Sequence, residues 1–579
     1  MKQAAREWEN TVIDGDRVLS LSKETGIPIP IISVLVARGI DKPDTIERFL
    51  NPRLSDLSDP FLIPGMRQAS ERIWQAIDKK QNIVIHGDFD ADGVTSTTLM
   101  VKVLRQLGAN VAAFLPHRIK DGYGLSQKGL ERCFSGKQVD LLITVDCGTN
   151  AQSALQYAAS RGVDVVVTDH HEVSGPTEPV AAVVNPKMGN NPSVQSLAGV
   201  GVAFKVCHAL VKDGITGSRT AVSGIDLRDY LDIVATGTVA DVVPLSDENR
   251  ILAKHGLYRI NSTPNLGLRA LIDVAGVNGS IDCYHFGFII GPRLNAAGRM
   301  GSADPALELL LSDDHDRVIR IASELDAINR ERKKAEEAIL QESIKYIDPY
   351  FDEEKTFGIV VGQQGWHVGI IGIVAAGLCG KYRRPVVVVG FDENGDGRGS
   401  GRSIECMDIV DVLRECSDLL VSFGGHRMAA GLSIKRKCYE DFRHRFNQLC
   451  MEKLKGCDLG RVLHVDAWLE FREIDYQLLE YVNKLKPFGL GNPAPVFGAK
   501  YVDVIGNPRK VGNKHLKITL ASGGTQIDSI AFEMGDRSLP AGPIDVLFTL
   551  QENTYMGRNS LQLNIKDFRP SCNSLKHSV

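Results

Sequence analysis

The sequence predicts an α/β protein: two α/β domains joined by a long helix, followed by a C-terminal β-barrel of OB type. Short β-branched apolar runs alternate with helical or loop stretches, which is typical of a parallel sheet covered on both faces. A later stretch repeats apolar residues at three- and four-residue spacing, as an amphipathic helix does. The C-terminal part alternates apolar and polar positions between Gly- and Asn-rich turns, which favours a small barrel.

The first half of the chain divides at proline-rich and amphipathic stretches. Residues 1–67 are predicted to be a helical lead-in that ends in a proline-punctuated loop. Residues 68–312 are predicted to form the first α/β domain, and residues 313–346 the connecting helix. The strands of this domain are predicted at the apolar runs Ile83–Ile85, Val111–Leu115, Leu141–Val145, Val163–Val167 and Ala181–Val184.

The second half is predicted to hold two further domains. Residues 347–456 form the second α/β domain, with strands at Gly358–Val361 and Pro385–Gly390. Residues 460–570 form the barrel, although periodicity alone does not separate an OB barrel from another small barrel or sandwich. The barrel strands are predicted at Tyr501–Ile505, His515–Leu520, Ile527–Ala531, Asp545–Leu550 and Leu561–Ile565.

Composition describes a folded protein of several domains. The chain has 579 residues, 43% of them hydrophobic and 24% charged, which at about 100–200 residues per domain suggests three or four domains. Its 67 basic and 71 acidic residues give a net charge of −4. Proteins that bind nucleic acid usually carry surplus basic residues, so the total argues against such a partner, although it does not locate the charges.

Targeting and redox signals point to the cytoplasm. The N-terminal residues contain no apolar h-region, so no signal peptide is predicted. The longest membrane-like run, Val368–Gly380, is shorter than the roughly 20 residues that a membrane span needs, so no membrane association is predicted. Eleven cysteines without a CxxC pair indicate reduced thiols.

The strongest local signal is the string HGDFDADG at residues 86–93, directly after a predicted strand. Ligands of open α/β sheets bind at the carboxyl ends of the strands, where this loop lies. Three aspartates at alternate positions stay ionised together at low cost only when a cation neutralises them. The alternative of an EF-hand loop is disfavoured, because no acid occurs between Val94 and Lys102.

Three further acidic clusters follow apolar runs. Asp146 and the trio Asp169, His170 and His171 end two predicted strands, and Asp241 follows a fourth apolar run. Carboxylates and imidazoles without thiolates suit Mn²⁺ or Mg²⁺ better than Zn²⁺. More than four candidate ligands exceed one tetrahedral shell, so we infer two metals. Two-metal sites most often catalyse in-line displacement at phosphorus.

These strings resemble the DHH phosphoesterase superfamily in their kind and order. The resemblance is carried by GDFDADG (87–93), DCG (146–148), DHH (169–171) and TVAD (238–241). Within the superfamily, the chain resembles the RecJ family of single-strand-specific exonucleases over roughly residues 70–570. The narrower markers are PHRIKDGYGL (116–125), LAGVGVAFK (197–205), GPRLNAAGR (291–299) and KPFGLGNP (486–493).

The resemblance implies a centre of two divalent ions, with Mn²⁺ usual and Mg²⁺ the alternative. His86 and Asp88 match positions that ligate metal in some members and support the ligands in others; we assign Asp88 to the metals and His86 to the support. The metal ligands carried over by position are Asp88, Asp90, Asp92, Asp146, His170 and Asp241. His171 would contact the scissile phosphate, and Asp169 would orient the histidines. The implied catalytic set is Asp90, Asp146, His170 and His171.

The resemblance also implies a DHH-associated domain that binds the substrate, with GGHRMAAG (424–431) as its marker. Arg293 and Arg299 are interpreted as phosphate clamps, with structural salt bridges as the alternative. Trp366 would stack on a base or belong to the core. The predicted DNA- and phosphate-binding set is Arg118, Arg293, Asn295, Arg299, Trp366, Arg402, Ser403, Gly424, Gly425 and His426.

The implied function is a metal-dependent 5′-to-3′ exonuclease that hydrolyses single-stranded DNA to nucleoside monophosphates, in DNA repair and recombination. One alternative is a DHH-family phosphoesterase that acts on short oligonucleotides or cyclic dinucleotides. Another is a catalytically silent single-strand-binding scaffold. The resemblance further implies single-stranded DNA, a helicase and a single-strand-binding protein as partners, and a monomeric, cytoplasmic enzyme.

Overall fold

The computed structural model describes residues 7–571 apart from 119, 123, 458, 461, 513, 556 and 557. The helices in chain order are α1 Gly15–Thr25, α2 Ile29–Ala37, α3 Pro43–Leu50, α4 Met66–Asp78, α5 Ala91–Gln106, α6 Gln127–Phe134, α7 Gln152–Ser160, α8 Pro192–Gln195, α9 Gly199–Thr216, α10 Leu231–Ala240, α11 Asp247–Ile260, α12 Leu266–Val274, α13 Cys283–His285, α14 Gly291–Met300, α15 Asp304–Leu311, α16 His315–Ile347, α17 Ile371–Tyr382, α18 Ile409–Glu415, α19 Tyr439–Lys453 and α20 Tyr476–Lys484.

The strands, numbered in the same way, include all those predicted from the sequence. They are β1 Glu7–Asn10, β2 Asn82–His86, β3 Asn110–Phe114, β4 Leu141–Val145, β5 Asp164–Thr168, β6 Ala182–Val184, β7 Ile359–Gln364, β8 Val386–Phe391, β9 Asp396–Arg402, β10 Ser422–His426, β11 Ala429–Lys435, β12 Val462–Val465, β13 Ala467–Trp468, β14 Phe497–Val511, β15 His515–Ser522, β16 Thr525–Ala531, β17 Ile544–Tyr555 and β18 Arg558–Pro570.

The first α/β domain is built on one parallel five-stranded sheet, as predicted. Its strand order is β3-β2-β4-β5-β6, with every neighbouring pair parallel. The chain leaves β2 toward one edge and then returns to β4 on its other side, so the strand order reverses between β2 and β4. In open α/β sheets, this switch point opens a crevice at the carboxyl ends of the strands, where ligands bind.

Helices cover this sheet because its strands are apolar along their whole length. All five side chains of β4 are buried, and the first fourteen residues of α5 except Lys102 are buried as well. The apolar run Leu231–Ala235, which precedes Asp241, belongs to helix α10 rather than to a strand. A fully buried helix and a buried strand have the same continuous apolar pattern over so few residues.

The long helix α16 confirms the predicted connecting element to within two residues. It runs from His315 to Ile347, and Asp314 caps its first turn by accepting the N–H of Arg317 at 3.1 Å. Its C-terminal half packs through Ile339 and Ile347 against the core formed by β7, β8 and α17. The helix therefore joins the core of the second α/β domain directly.

The second α/β domain contains a mixed sheet of order β10-β11-β9-β8-β7. The two predicted strands, β7 and β8, are parallel, and the remaining pairs are antiparallel. The three strands that we did not predict contain many glycines, as in the sequence DGRGSGR of β9. Glycine is depleted in strands, so such segments resemble turns in the sequence.

The chain separates into two compact units. One consists of residues 60–241 and 259–459, which include both α/β domains. The other combines residues 1–59 and 242–258 with residues 460–579. The N-terminal helices are thus part of the unit that contains the barrel, since Ile31, Leu35 and Leu50 share one hydrophobic core with Phe497 and Phe548.

The barrel has the closed form expected of an OB fold. Strand β14 pairs with both β15 and β17, and β16 pairs in parallel with β18, so that the sheet closes on itself. In the same unit, the guanidinium of Arg250 is 2% exposed and donates to the backbone carbonyls of four residues. They are Phe49, Lys484, Leu485 and Lys486.

None of the described helices is long and apolar enough to cross a membrane.

Candidate metal centre

The loop between β2 and α5 carries the first three candidate ligands at the switch point of the sheet. Asp90 caps α5, and its Oδ1 accepts the N–H groups of Asp92 at 3.0 Å and Gly93 at 3.1 Å. A Cβ on Gly93 would lie 2.3 Å from the carbonyl oxygen of Asp88, so the loop closes this tightly only around glycine. Asp88 and Asp92 are buried by this turn.

The other predicted ligands converge on the same crevice. Asp146 follows β4 with a φ of +60°, an uncommon conformation for a residue with a side chain that often marks functional sites. Nε2 of His170 lies 3.1 Å from Oδ1 of Asp146. It also lies 3.7 Å from Asp241 Oδ2 and 3.9 Å from Asp92 Oδ2.

Ligand atoms gather in three overlapping groups, each within 4.8 Å. The groups are Asp88 with Asp90 and Asp146, Asp92 with His170 and Asp241, and Asp146 with His170 and His171. Asp146 is shared between two groups, as expected of a bridging ligand. The structure therefore brings all six predicted metal ligands together, with His171 beside them.

Electrostatics shows that the cluster is built for a cation. Burial, followed by the charges of neighbouring carboxylates, raises the pKa of Asp88 to about 8 and of Asp92 to about 7. The same causes raise the pKa values of Asp146 and Asp241 well above the ordinary value. Oδ1 of Asp88 and Oδ1 of Asp146 are buried and accept no hydrogen bond from any described residue. Buried acceptors in this state fit divalent cations.

The two histidines of the DHH string differ in their environments. Burial and the neighbouring His171 lower the pKa of His170 to about 4, so His170 is neutral and suited to ligate a metal. Nδ1 of His171 lies 2.7 Å from Oδ1 of Asp169. Burial opposes the charge on His171, but the Asp169 hydrogen bond and the charges of Asp169, Asp88 and Asp92 together outweigh it and raise the pKa of His171.

Asp169 is hydrogen-bonded to three backbone groups of this part of the site. Its carboxylate accepts backbone N–H groups from Thr149 at 2.9 Å, His170 at 2.8 Å and His171 at 3.2 Å. Although burial opposes it, the hydrogen bonds and positive charge around this carboxylate lower the pKa of Asp169. Asp169 is therefore an ionised anchor for the histidine pair rather than a ligand.

The first turn of helix α9 supports the centre in a way that the sequence did not reveal. The N–H of Gly199 donates to Oδ2 of Asp92 at 2.7 Å, and that of Val200 donates to Oδ1 at 2.8 Å. A Cβ on Gly199 would lie 2.7 Å from Cβ of Asp146, so no larger residue fits there. The available signal was the glycine-containing LAGVG string, whose glycines mark this close approach.

His86 is fully buried and belongs to none of the three ligand groups. Burial lowers its pKa to about 4, and its Nδ1 lies 3.9 Å from Sγ of Cys147. Burial raises the pKa of the Cys147 thiol well above the ordinary value, which fits a small buried residue and not a nucleophile.

Three predicted phosphate-binding arginines form a cluster without acidic partners. Arg118, Arg299 and Arg402 make no ion pair with any residue that the structure describes, and Arg118 lies close enough to act electrostatically on the other two. Burial, with the charges of Arg118 and Arg402, lowers the pKa of Arg299 to about 10. Asp90 is the acidic neighbour of Arg299, so the cluster adjoins the metal loop.

Arg293 and Asn295 have contacts other than those expected of phosphate-binding residues. Arg293 forms a buried ion pair with Asp326 at 2.8 Å and donates to the carbonyl of Ile289, so the salt-bridge alternative applies to it. Oδ1 of Asn295 accepts the N–H of Ala91 at 2.7 Å, which commits this oxygen to the metal loop.

Trp366 and Ser403 are also structural in their contacts. The Trp366 side chain is 6% exposed within a hydrophobic cluster, and its indole N–H donates to Glu342 at 2.9 Å, so its ring is not available to stack on a base. The buried Ser403 hydroxyl donates to the carbonyl of Met407 at 2.8 Å.

The glycine-rich string lies on an exposed edge strand. Gly424, Gly425 and His426 belong to β10, the outer strand of the second sheet, and are exposed. Gly425 has a φ of +146°, and a Cβ there would lie 2.4 Å from the carbonyl oxygen of Ala429. The strand is thus open to a ligand along its outer side.

Comparisons with known proteins place this site in a family. The DHH family, N-terminal domain, matches residues 82–238; the DHHA1 domain matches residues 355–452; and the RecJ OB domain matches residues 465–567. These matches define a protein of the DHH class with an appended OB barrel.

The single-stranded-DNA-specific exonuclease RecJ of Bacillus subtilis is 38% identical to this chain, over 98% of this chain and 71% of the relative. The protein of the same name from Haemophilus influenzae is 38% identical over 92% of this chain and 95% of the relative. The chain therefore belongs to the RecJ family.

Solved structures agree with this assignment. The crystal structure of Thermus thermophilus RecJ in complex with Mn²⁺ superposes with a TM-score of 0.84 and 29% identity, covering 100% of this chain and 81% of that chain. A structure of the same protein with Mg²⁺ superposes with a TM-score of 0.77 and 29% identity, over 97% and 78% of the two chains. These relatives bind the ions that the carboxylates and imidazoles of the present site fit.

Proposed function

We propose that this protein is a metal-dependent exonuclease that hydrolyses single-stranded DNA from its 5′ end and releases nucleoside monophosphates. The observation that carries the proposal is the convergence of the three ligand groups beside the unpaired arginine cluster. The ligand groups suit the cations that act on a phosphodiester, and the adjacent arginines suit the phosphate at the end of the strand. Family membership supplies the substrate, the polarity and the role in DNA repair and recombination.

The proposed metal ligands are Asp88, Asp90, Asp92, Asp146, His170 and Asp241, which would hold two divalent ions, Mn²⁺ or Mg²⁺. Two such ions supply charge neutralisation at the phosphate and an activated water for in-line displacement. Asp146 and His170 each belong to two ligand groups. Of the two, Asp146 would be the ligand shared by both ions, because a carboxylate offers two oxygens. His170 serves as a neutral ligand, held in place through the Asp169 carboxylate that accepts its backbone N–H.

His171 has a different proposed role, contact with the scissile phosphate. Its Nδ1 is hydrogen-bonded with Asp169, so we assign the contact with the phosphate to Nε2. The negative charge of Asp169 favours the imidazolium form, which can donate to a phosphate oxygen as charge develops on it. The His171 ring lies in one ligand group with Asp146 and His170. A phosphate bound at the metals would therefore lie close to the His171 N–H that donates to it.

Arg118, Arg299 and Arg402 are proposed to bind the phosphate at the strand terminus. Guanidinium groups bind phosphate oxygens in a bidentate manner, and three of them suit a dianionic terminal phosphate. A bound phosphate would also offset the burial and the repulsion from Arg118 that together lower the pKa of Arg299. With the terminal phosphate held by this cluster, the metals would act on the next phosphodiester along the strand. Each cleavage would then release one nucleotide.

We assign residues 68–312 to catalysis, residues 347–456 to binding the terminal nucleotide, and residues 460–570 to guiding the incoming strand. In the barrel unit, a surface cavity of about 920 Å³ is lined by residues that include Trp468, Arg472 and Lys500. Aromatic and basic side chains together suit stacked bases and a phosphate backbone. We further propose a helicase and a single-strand-binding protein as partners, a monomeric state and a cytoplasmic location.

The test is digestion of one oligonucleotide, labelled at either end, in single-stranded and duplex form with Mn²⁺ or Mg²⁺. We expect mononucleotides from the 5′ end of the single strand and an intact duplex. Release of the 3′ label first, or equal cleavage of the duplex, would contradict the proposal. Preferential hydrolysis of cyclic dinucleotides or very short oligonucleotides would favour the alternative phosphoesterase, and binding without cleavage would favour the scaffold.

A further inference from the structure

Helix α14 contacts the metal loop through two of its residues. Oδ1 of Asn295 accepts the N–H of Ala91 at 2.7 Å, and Ala91 lies between the candidate ligands Asp90 and Asp92. A Cβ on Gly298 would lie 2.4 Å from the carbonyl oxygen of Phe89, so the helix backbone lies directly against the loop. The loop is therefore fixed to one face of this helix at two points.

The same helix carries one of the proposed phosphate-binding arginines. Arg299 lies four residues after Asn295, which places the two side chains about one turn apart on the same face. The guanidinium of Arg118 lies over the Phe89 ring, 5.1 Å from its centroid. The phosphate cluster thus contacts the loop that carries three of the ligands.

Helix α14 is also held firmly in the fold. Arg293 ties its first turn to α16 through the buried ion pair with Asp326. At its other end, a Cβ on Gly369 would lie 2.2 Å from the carbonyl oxygen of Arg299, so the second α/β domain packs against the helix backbone. A rigid element between two sites transmits the position of one to the other.

We propose that Asn295 is a positioning residue that locks the metal loop onto α14, and that it thereby couples divalent-ion binding to binding of the terminal phosphate. The proposal deepens the proposed function and rests on it. Because α14 is held by the rest of the fold, the element with two arrangements is the metal loop, which is docked onto α14 or released from it. Phosphate bound to Arg299 and to Arg118, whose guanidinium lies over the Phe89 ring, favours the docked loop. The Asn295 hydrogen bond keeps Asp90 and Asp92 of the docked loop at the spacing that the ions need. By linkage, each ligand then tightens the binding of the other by the same factor.

The experiment measures Mn²⁺ affinity by calorimetry on the full chain, with and without thymidine 5′-monophosphate. In the wild-type protein, we expect the monophosphate to tighten Mn²⁺ binding by about fivefold or more. Asn295→Ala should weaken Mn²⁺ binding about tenfold, as loss of groups that orient metal ligands does, and should remove most of the tightening. Arg299→Ala should remove the tightening and leave the affinity for Mn²⁺ alone within about twofold.

The chain offers a matched control in Asn265, a buried asparagine in the same unit. Its Oδ1 accepts the N–H of Leu268 at 2.9 Å and caps α12, with no link to the metal loop. Asn265→Ala should lower the stability of the protein about as much as Asn295→Ala does. It should leave unchanged both the affinity for Mn²⁺ alone and the tightening by the monophosphate. An equal loss of Mn²⁺ affinity in this variant would mean that general destabilisation is responsible and would overturn the proposal.

A second variant removes the same hydrogen bond from its other side. Ala91 is the first residue of α5, where proline is tolerated, and the extended backbone of Asp90 suits a residue before proline. Ala91→Pro should reproduce the Asn295→Ala effect, and the double variant should be no weaker than either one. Additive losses, or unchanged Mn²⁺ binding in both single variants, would overturn the proposal. A wild-type protein that binds no Mn²⁺ would instead contradict the proposed function.

Discussion

Nε2 of His170 lies 3.1 Å from Oδ1 of Asp146, although the two residues follow neighbouring strands and are 24 positions apart in the chain. The imidazole is neutral and the carboxyl has a strongly raised pKa, so the contact is not a stable ion pair. Two ligand atoms at this distance instead mark the point where a cation would contact both. Asp146 is therefore the residue whose loss should be most informative.

We expect Asp146→Asn to abolish the nuclease, with a loss on the order of 10³-fold in kcat/KM, because the shared carboxylate is absent. The same change removes a buried carboxyl that repels its neighbours, so the metal-free variant should have a higher Tm than the metal-free wild type. Activity assays and thermal melts in EDTA measure the two effects. Retained Mn²⁺-dependent cleavage would contradict the assignment of Asp146.

Stability of the metal-free protein should fall as pH rises from about 5 to 8. Asp88 and Asp92 have pKa values of about 8 and 7 in the folded chain, whereas in the unfolded chain each titrates near the ordinary value of 3.8. Between these values, the folded state holds protons that the unfolded state has released, which disfavours folding by about 1.4 kcal/mol per pH unit for each proton. Thermal melts in EDTA across this range measure the slope.

Mn²⁺ should reverse this dependence. The ions displace the carboxyl protons, so the increase in Tm on adding Mn²⁺ should be larger at pH 8 than at pH 5.5. The Asp146→Asn variant is a useful comparison, because it has one fewer buried carboxyl in the cluster. A Mn²⁺-induced increase that is the same at both pH values would argue against the carboxylates as the ligands.

Much of this site was predictable because it follows from strand ends. Asp88, Asp146 and His170 come within two residues of the ends of β2, β4 and β5, and the carboxyl ends of parallel strands meet at one edge of the sheet. The apolar run Leu141–Val145 corresponds residue for residue to β4. The local sequence pattern was therefore sufficient to locate the candidate ligands that follow the end of a strand.

Long-range partners were not predictable in this way. Arg293 and Arg299 have the same local context, yet of the two only Arg293 forms an ion pair with a described residue, Asp326, which comes 33 residues later. Trp366 and Ser403 are buried by packing that no short window of sequence reveals. The core shared by the N-terminal helices and the barrel likewise depends on contacts across more than 400 residues.

Arg402 and Arg293 differ in their contacts, and substitution of each one tests which of them binds the terminal phosphate. Arg402→Ala should lower kcat/KM for 5′-phosphorylated strands about 10–100-fold and have a smaller effect on 5′-hydroxyl strands, because a charged hydrogen bond to the terminal phosphate is lost. Arg293→Ala should leave the ratio of the two substrates unchanged and lower the Tm, since the buried Asp326 keeps only its longer contact with the exposed Arg330, at 3.4 Å. Equal losses on both substrates in Arg402→Ala would contradict terminal-phosphate binding.

Asp169→Asn should shift the pH dependence of the reaction. The hydrogen bond from Asp169 raises the pKa of His171, so an amide there lets the His171 proton dissociate at lower pH. If protonated His171 contacts the phosphate, the alkaline limb of the kcat profile moves to lower pH in this variant. An alkaline limb at the same pH as in the wild type would assign it to another group.

Arg250 is expected to stabilise the unit that contains the barrel. Its guanidinium donates to four backbone carbonyls contributed by two separate segments, so Arg250→Met would remove a donor from each of them. Two of the four keep a second donor, Asn492 for Leu485 and Lys254 for Lys484. We expect a loss of about 3 kcal/mol or more in the free energy of unfolding of this unit. Arg472→Met is the control: its ion pair with Glu470 is exposed and worth about 0–1 kcal/mol. Denaturant unfolding followed by the fluorescence of Trp8 and Trp468, both in this unit, measures the difference, and equal midpoints for the two variants would contradict the prediction.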